Sequence, residues 1–267
     1  MKINQIADVT AIVPYYNSRK TIDRAIQSIL NQTLQVKEII VIDDGSEENQ
    51  KITANDFKNL SNTIKIISTK NSGASSARNT GVLESNTKYL AFLDADDAWH
   101  PQKIEIQYKF METSKATLSA HGYIPNKTKE TPRISDNCIN NINSTFIKKY
   151  KFIFGSVFFT PTVMVLRENF ILFDQRLSRS EDYKCWVENF KKDGFFFLDA
   201  NLSFGFKNPM GASGLSFDIL KMHKEYIKSL YLLLKDDRIS LLFFLSSFTI
   251  EKIKYPLRKI KWQLKNK

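Results

Sequence analysis

The chain predicts an α/β fold: a Rossmann-like, mostly parallel central sheet flanked by helices, followed by a helical basic tail. Three observations predict it. Strand-length apolar runs alternate with helix-period segments over the first hundred residues. Three of those runs end in polar, ligand-ready sequence: Tyr15-Tyr16-Asn17, Asp43-Asp44-Gly45-Ser46 and Asp94-Ala95-Asp96-Asp97. The cations are also uneven. The 267 residues carry a net charge of +11, yet residues 219–267 hold twelve Lys/Arg against four Asp/Glu, leaving only +3 for the rest.

Val9–Val13 is a buried strand ended by Pro14, and Ser18 is a candidate N-cap for a helix with Ile22, Ala25, Ile26, Ile29 and Leu30 on one face. Glu38–Ile42 is the next strand, a polar helix is expected over Glu47–Leu60, and Ile64–Ile67 is a third strand. The turn Asn71-Ser72-Gly73-Ala74 opens a helix running to Leu83, and Tyr89–Leu93 is a fourth strand. Strands separated by helices pair in parallel through right-handed crossovers, and such sheets bind ligands at the carboxyl ends of their strands. Further on, a helix is expected over Lys103–Thr113, a strand over Thr117–Ile124 and a polar loop over Pro125–Asn143. Pro161–Leu166 is the clearest strand of an apolar stretch from Phe152 to Arg167. A helix from Ser180 through Phe190 turns Trp186, Val187 and Phe190 inward, and Gly194–Leu198 is a strand.

Apolar content of 42% and charged content of 25% are ordinary for a folded protein. Cys138 and Cys185 lack metal-ligand or redox spacing and read as plain thiols of a reducing cytosol. No apolar run is long enough for a signal peptide or a membrane span, so neither export nor spanning is expected.

The acidic strand end Asp94–Asp97 carries the chemistry. Three carboxylates in four residues repel one another and lose hydration unless a cation sits among them. A hard divalent ion carrying a phosphorylated substrate is one solution, since Mg²⁺-type sites use one or two carboxylates plus phosphate oxygens. A solvated acidic loop capping the next helix is the other, with Pro101 near its first turn.

Ala11-Ile12-Val13-Pro14-Tyr15-Tyr16-Asn17, Ile29-Leu30-Asn31-Gln32-Thr33, Ile42–Ser46, Asn71–Asn79 and Phe92–Asp97, in that order, resemble a family 2 glycosyltransferase of the GT-A fold. The match is dense over residues 9–100 and looser over 155–216, through Ser180-Glu181-Asp182. The resemblance implies transfer of one sugar from a nucleotide diphosphate, a UDP-sugar, to a hydroxyl, with inversion. It divides the chain into a domain at 1–216, with a nucleotide-sugar half to residue 100 and an acceptor half after it, and a tail at 217–267.

The same resemblance assigns roles. Asp43 and Asp44 would accept hydrogen bonds from uracil or ribose, or serve as turn carboxylates before Gly45. Pro14 and Tyr15 would line the base pocket, or pack the strand end. Arg78, in the first turns of its helix, would reach base or diphosphate, with Asn79 shaping the loop. Asp94 and Ala95 would face the ribose, Asp94 and Asp96 would hold Mn²⁺ or Mg²⁺, and Asp97 would be a second ligand or the cap of the next helix. Asp182 would be the base that takes the acceptor proton, with Glu181 the less favoured candidate; both also suit a first helical turn. The Gln-x-x-Arg-Trp motif of the processive members is absent, which implies one addition per event. The histidine often seen in the family's later loop is also absent; Lys207 stands in that loop, before a flexible Gly211–Ser216 segment with Ser213 and Ser216 as phosphate contacts.

The tail alternates apolar clusters with lysines and ends in cations mixed with Tyr255 and Trp262. That composition fits a helix lying on an anionic membrane, or a cap on the domain or on a second copy of the chain. With the resemblance it implies a peripheral enzyme at the cytoplasmic face of the cell membrane, acting on an undecaprenyl-diphosphate-linked saccharide in O-antigen, capsule or exopolysaccharide synthesis. Two other classes compete. A sugar-phosphate nucleotidyltransferase would need a Gly-rich, Arg-containing loop after the first strand, where Tyr15-Tyr16-Asn17-Ser18 stands. A nucleic-acid-binding protein would suit the isoelectric point near 9.4 but leaves the acidic strand ends unexplained.

Overall fold

The computed structural model describes residues 6–57, 59–125, 142–191, 194–206 and 218–265. The first half runs β1 (Ile6–Tyr15), α1 (Arg19–Leu30), β2 (Gln35–Asp44), α2 (Ala54–Phe57), β3 (Ile64–Thr69), α3 (Ala74–Glu84) and β4 (Tyr89–Phe92). The second runs β5 (Ala98–Trp99), α4 (Lys103–Ser114), β6 (Leu118–Ile124), β7 (Ser144–Phe146), β8 (Met164–Leu166), α5 (Glu181–Glu188), β9 (Phe195–Phe204), α6 (Ile219–Lys235) and α7 (Leu241–Lys265). The described strands form one sheet in the order β3-β2-β1-β4-β8-β6-β9-β5, with β7 on β9. β3, β2, β1 and β4 are parallel, so all four carboxyl ends share one edge. Beyond β4 the sheet is mixed: β8 runs antiparallel to β4 and β6, while β9 is parallel to β6 and antiparallel to β5.

The two-residue period of the central strands divides the core. Ala11 and Val13 of β1 and Ile39 and Val41 of β2 face one layer, with Ile22, Ala25, Ile26 and Ile29 of α1. Ile12, Ile40 and Ile42 face the other, with Ala77 and Val82 of α3, Trp186 of α5 and Leu230 and Leu233 of α6. Gly81 lets α3 lie close to the sheet: a Cβ there would stand 2.5 Å from Ile12 Cγ2.

Three expectations change. In place of a helix over Glu47–Leu60 there is a 3₁₀ turn at Glu48–Gln50 and the single turn of α2. Only Ile52 and Phe57 there are buried apolar residues, too few for a helical stripe, and the Asp56 carboxylate accepts from Thr53 N and Oγ1. The strand expected at Pro161–Leu166 shortens to β8 because Thr160–Thr162 is a 3₁₀ turn, pinned where the Pro161 carbonyl accepts from Trp99 Nε1 and Ser203 Oγ. Asp97 does not cap a helix: β5 follows it, and Gln102 occupies the N-cap position of α4.

The start of the tail packs on the domain. Leu230 and Leu233 of α6 are buried in the second core layer, with Phe243 and Phe244 of α7 partly covered. Buried Glu251 ties α7 down, taking hydrogen bonds from Arg258 and His223. After it Ile253, Leu257, Ile260 and Leu264 are more than half exposed. Among the described residues no helix is long and apolar enough to cross a membrane. Cys185 is buried and free. Cys138, most of the Pro125–Asn143 loop, Lys207, the Gly211–Ser216 segment with Ser213 and Ser216, and the 216/217 boundary lie outside the described residues.

Candidate active site

The loops at the parallel edge are held in shape by their own polar side chains. Asp43 Oδ1 accepts the Ser46 N–H at 2.9 Å, closing a tight turn through Gly45, whose φ of +72° is a left-handed conformation. A Cβ on Gly45 would lie 2.6 Å from Asn71 N, so this turn and the loop before α3 touch. Asp44 joins them: Oδ1 accepts from Ser72 N at 2.9 Å and Oδ2 from Gly73 N at 2.8 Å. From the β1 side, Asn17 N donates to Ser46 Oγ and Asn17 Oδ1 accepts from Glu47 N. Tyr15 is buried, and its hydroxyl donates to the Gln50 carbonyl; Pro14 is half-buried beside it. These loops enclose a cleft of about 420 Å³ lined by Asn17, Ser18, Lys20, Thr21, Glu47, Gln50 and Asp96.

The acidic strand end meets this cleft. Asp97 N–H donates to the Asp94 carbonyl at 3.0 Å, folding Asp94–Asp97 into a turn. Arg24 donates to the Asp96 carbonyl at 2.6 Å while its guanidinium lies 3.7 Å from the Phe206 ring centroid. Asp94 and Asp96 are half-buried, Ala95 and Asp97 buried. The Asp97 carboxylate accepts from Tyr123 Oη at 3.1 and 3.2 Å.

Arg78 binds the two halves of the chain. Its Nη2 donates to Asp94 Oδ1 and its Nη1 to Glu181 Oε1, each at 2.9 Å, with the Arg78 side chain 7% exposed. Burial opposes the guanidinium charge, but Asp94 and then Glu181 outweigh it and raise its pKa above the ordinary value. Asn79 turns the other way, donating from Nδ2 to the Phe173 carbonyl and accepting the Phe173 N–H at Oδ1, both at 2.8 Å. Next to Glu181, Asp182 is half-buried and accepts the Tyr183 N–H at 2.7 Å. Burial and then the Glu181 charge push its pKa up to about 7, against the pull of the Tyr183 N–H and Arg78. Ser180 occupies the N-cap position of α5 with φ of +57° and makes no side-chain cap bond.

The fold thus gathers Asp94, Asp96, Arg78, Glu181 and Asp182 around one strand end. It engages Asp43, Asp44, Tyr15 and Asn79 with neighbouring backbone. Arg24 and Tyr123 carry no sequence signal: one is a cation on an amphipathic helix, the other a tyrosine near a strand end. Among the described residues no three His, Cys, Asp or Glu side chains cluster as metal ligands. The pair Asp94 and Asp96 still suits an ion that completes its shell with diphosphate oxygens and water.

The architecture is the GT-A fold. S. aureus TarS 1-349 superposes with a TM-score of 0.67 at 16% identity, covering 92% of this chain and 72% of that one. The same TarS portion in complex with UDP-GlcNAc gives 0.64 at 18% identity, covering 85% and 66%. The family model described as Glycosyl transferase family 2 matches residues 10–172, and the chain belongs to that family. It is 34% identical over 184 residues to an uncharacterized glycosyltransferase of Rickettsia bellii, which covers 68% of this chain. To the minor teichoic acid biosynthesis protein GgaA of Bacillus subtilis it is 41% identical over 105 residues, 37% of this chain. The chain spans about a quarter of the length of these relatives, 26% and 24%.

Proposed function

We propose that this protein transfers one sugar from a UDP-sugar to a hydroxyl of a lipid-linked saccharide, with inversion, in cell-surface polysaccharide synthesis. The observation that carries the reading is the gathering of Asp182 with the Arg78-Glu181-Asp94 network at the acidic strand end, where burial and then Glu181 push the Asp182 pKa up to about 7. A base works best when its pKa lies near the operating pH, and at neutral pH a large fraction of Asp182 is ionised and ready to take a hydroxyl proton. Arg78 neutralises Glu181 and Asp94 and holds them in place. That keeps the junction between donor and acceptor sides fixed without placing a second mobile base there. The cleft beside Asp96, shaped by Asn17, Ser46 and Asp43, is where the nucleoside belongs, and Asp44 shapes the loop opening α3 by accepting its N–H groups.

Asp96, with Asp94, would hold a divalent ion, Mn²⁺ or Mg²⁺, which when bound offsets charge on the departing nucleotide diphosphate. GgaA, named for teichoic acid biosynthesis, and TarS, crystallised with UDP-GlcNAc, support a cell-surface product and a uridine donor. The exposed apolar and basic residues of α7 after Glu251 support contact with an anionic membrane at its cytoplasmic face, where a lipid-linked acceptor would lie.

Screening a panel of nucleotide sugars for slow hydrolysis and for thermal stabilisation tests this reading and ranks the donors. UDP-sugars should stabilise the protein and be hydrolysed in a metal-dependent way. Stabilisation by nucleoside triphosphates with sugar 1-phosphates, and none by UDP-sugars, would place it among the nucleotidyltransferases.

A further inference from the structure

An exposed aromatic, Phe159, stands beside the acidic strand end, on the side where an acceptor would lie. Phe159 is 60% exposed although it is a large apolar side chain. It is not on a loose loop: its carbonyl accepts from Thr162 N at 3.0 Å and Thr162 Oγ1 at 2.7 Å, starting the Thr160–Thr162 turn. The Pro161 carbonyl in that turn accepts from Trp99 Nε1 at 2.9 Å and Ser203 Oγ at 2.7 Å, anchoring it to β5 and β9. The ring packs on Tyr123, centroids 4.8 Å apart at 34°.

Tyr123 in turn faces the acidic strand end. Its hydroxyl donates to both Asp97 carboxylate oxygens, and it lies close enough to Asp94 and Asp96 to feel both charges. Gly205 leaves the space for that hydroxyl, since a Cβ there would stand 2.0 Å from Tyr123 Oη. An exposed aromatic ring on an anchored turn therefore packs on a tyrosine that binds the acidic strand end.

We infer that Phe159 is the stacking platform of an acceptor subsite for a pyranose ring, with Tyr123 backing it. The negative face of an aromatic ring attracts the weakly positive axial C–H bonds of a sugar, and a carboxylate and a phenol accept from sugar hydroxyls. Both kinds of group are present within one side chain of each other. A held ring is the arrangement a sugar needs, because stacking on a mobile side chain would cost its ordering entropy first. The inference rests on the glycosyltransferase reading and assigns that same site its acceptor class.

Saturation-transfer NMR on the full chain with saturating UDP tests it. Methyl β-glucoside, methyl β-galactoside and methyl β-N-acetylglucosaminide are the probes, and sorbitol is an open-chain control. At least one glycoside should give transfer strongest at its ring C–H protons, and sorbitol none. Phe159→Ala should cut the transfer about 2- to 10-fold, Phe159→Trp should keep it, and UDP titration should be the same in all three proteins. Equal transfer in Phe159→Ala, equal transfer to sorbitol, or no transfer to any glycoside from a protein that binds UDP would overturn the platform alone. Failure of the wild-type protein to bind UDP would overturn the transferase reading, and the platform with it.

Discussion

At the ends of β1 and β2 the polar side chains bond to backbone, whereas at the junction of α3, β4 and α5 Arg78, Asp94 and Glu181 bond to one another. Asp43, Asp44 and Asn17 each satisfy N–H groups of neighbouring turns. Arg78, Asp94 and Glu181 form a side-chain network, and Arg78 and Glu181 stand 103 residues apart in the chain. The first arrangement fixes the shape of a pocket. The second acts on charge, because burial and the neighbouring Glu181 carboxylate push the Asp182 pKa up. In the proposed transfer, the first region would seat the donor and the second would set the ionisation of the base.

Substitutions break this comparison in order of size. Asp182→Asn removes the proposed base and should lower kcat by about 10²–10⁴-fold, with UDP affinity unchanged by calorimetry. A loss of UDP binding instead would move Asp182 to the donor side. Arg78→Ala leaves two carboxylates facing each other and should cost roughly 3 kcal/mol in urea unfolding. Arg78→Lys should restore little of it, since one ammonium cannot match the two-pronged bridge.

Asp44→Ala removes an acceptor for two backbone N–H groups and should cost about 1–3 kcal/mol, with weaker UDP binding. A larger loss than that of Arg78→Ala would reverse the contrast between the two regions. The smallest effect belongs to Glu181→Gln. As the proposed base, Asp182 would act when deprotonated, so the rate should rise with pH through about 7. The neutral amide removes a like charge and frees part of Arg78's charge. Both changes favour the ionised form, so the acidic limb should move to lower pH.

The pocket-shaping region was legible in the sequence. In a parallel α/β unit the strand ends are marked by where apolar runs stop, and Asp43–Ser46 and Asn71–Ala74 mark turns by residue type alone. Arg78, Asp94 and Asp182 could be named, but the sequence did not show Arg78 bridging carboxylates. A bridge between α3 and α5 depends on packing that no local pattern encodes. The later half was less readable for the same reason. Beyond β4 the strands are mixed in direction, and β5 and β7, of two and three residues, are too brief to show alternation. Buried Lys103, whose Nζ lies 3.8 Å from the Trp99 ring centroid, is likewise invisible as a core residue in a first-turn lysine.

The most direct test of the account is a calorimetric titration of UDP into the wild-type protein and Asp96→Ala, each with and without Mn²⁺. Binding that needs Mn²⁺ in the wild type and is lost in Asp96→Ala is the predicted result. Equal UDP binding with and without metal in both proteins, or no UDP binding together with tight binding to duplex DNA, would contradict it.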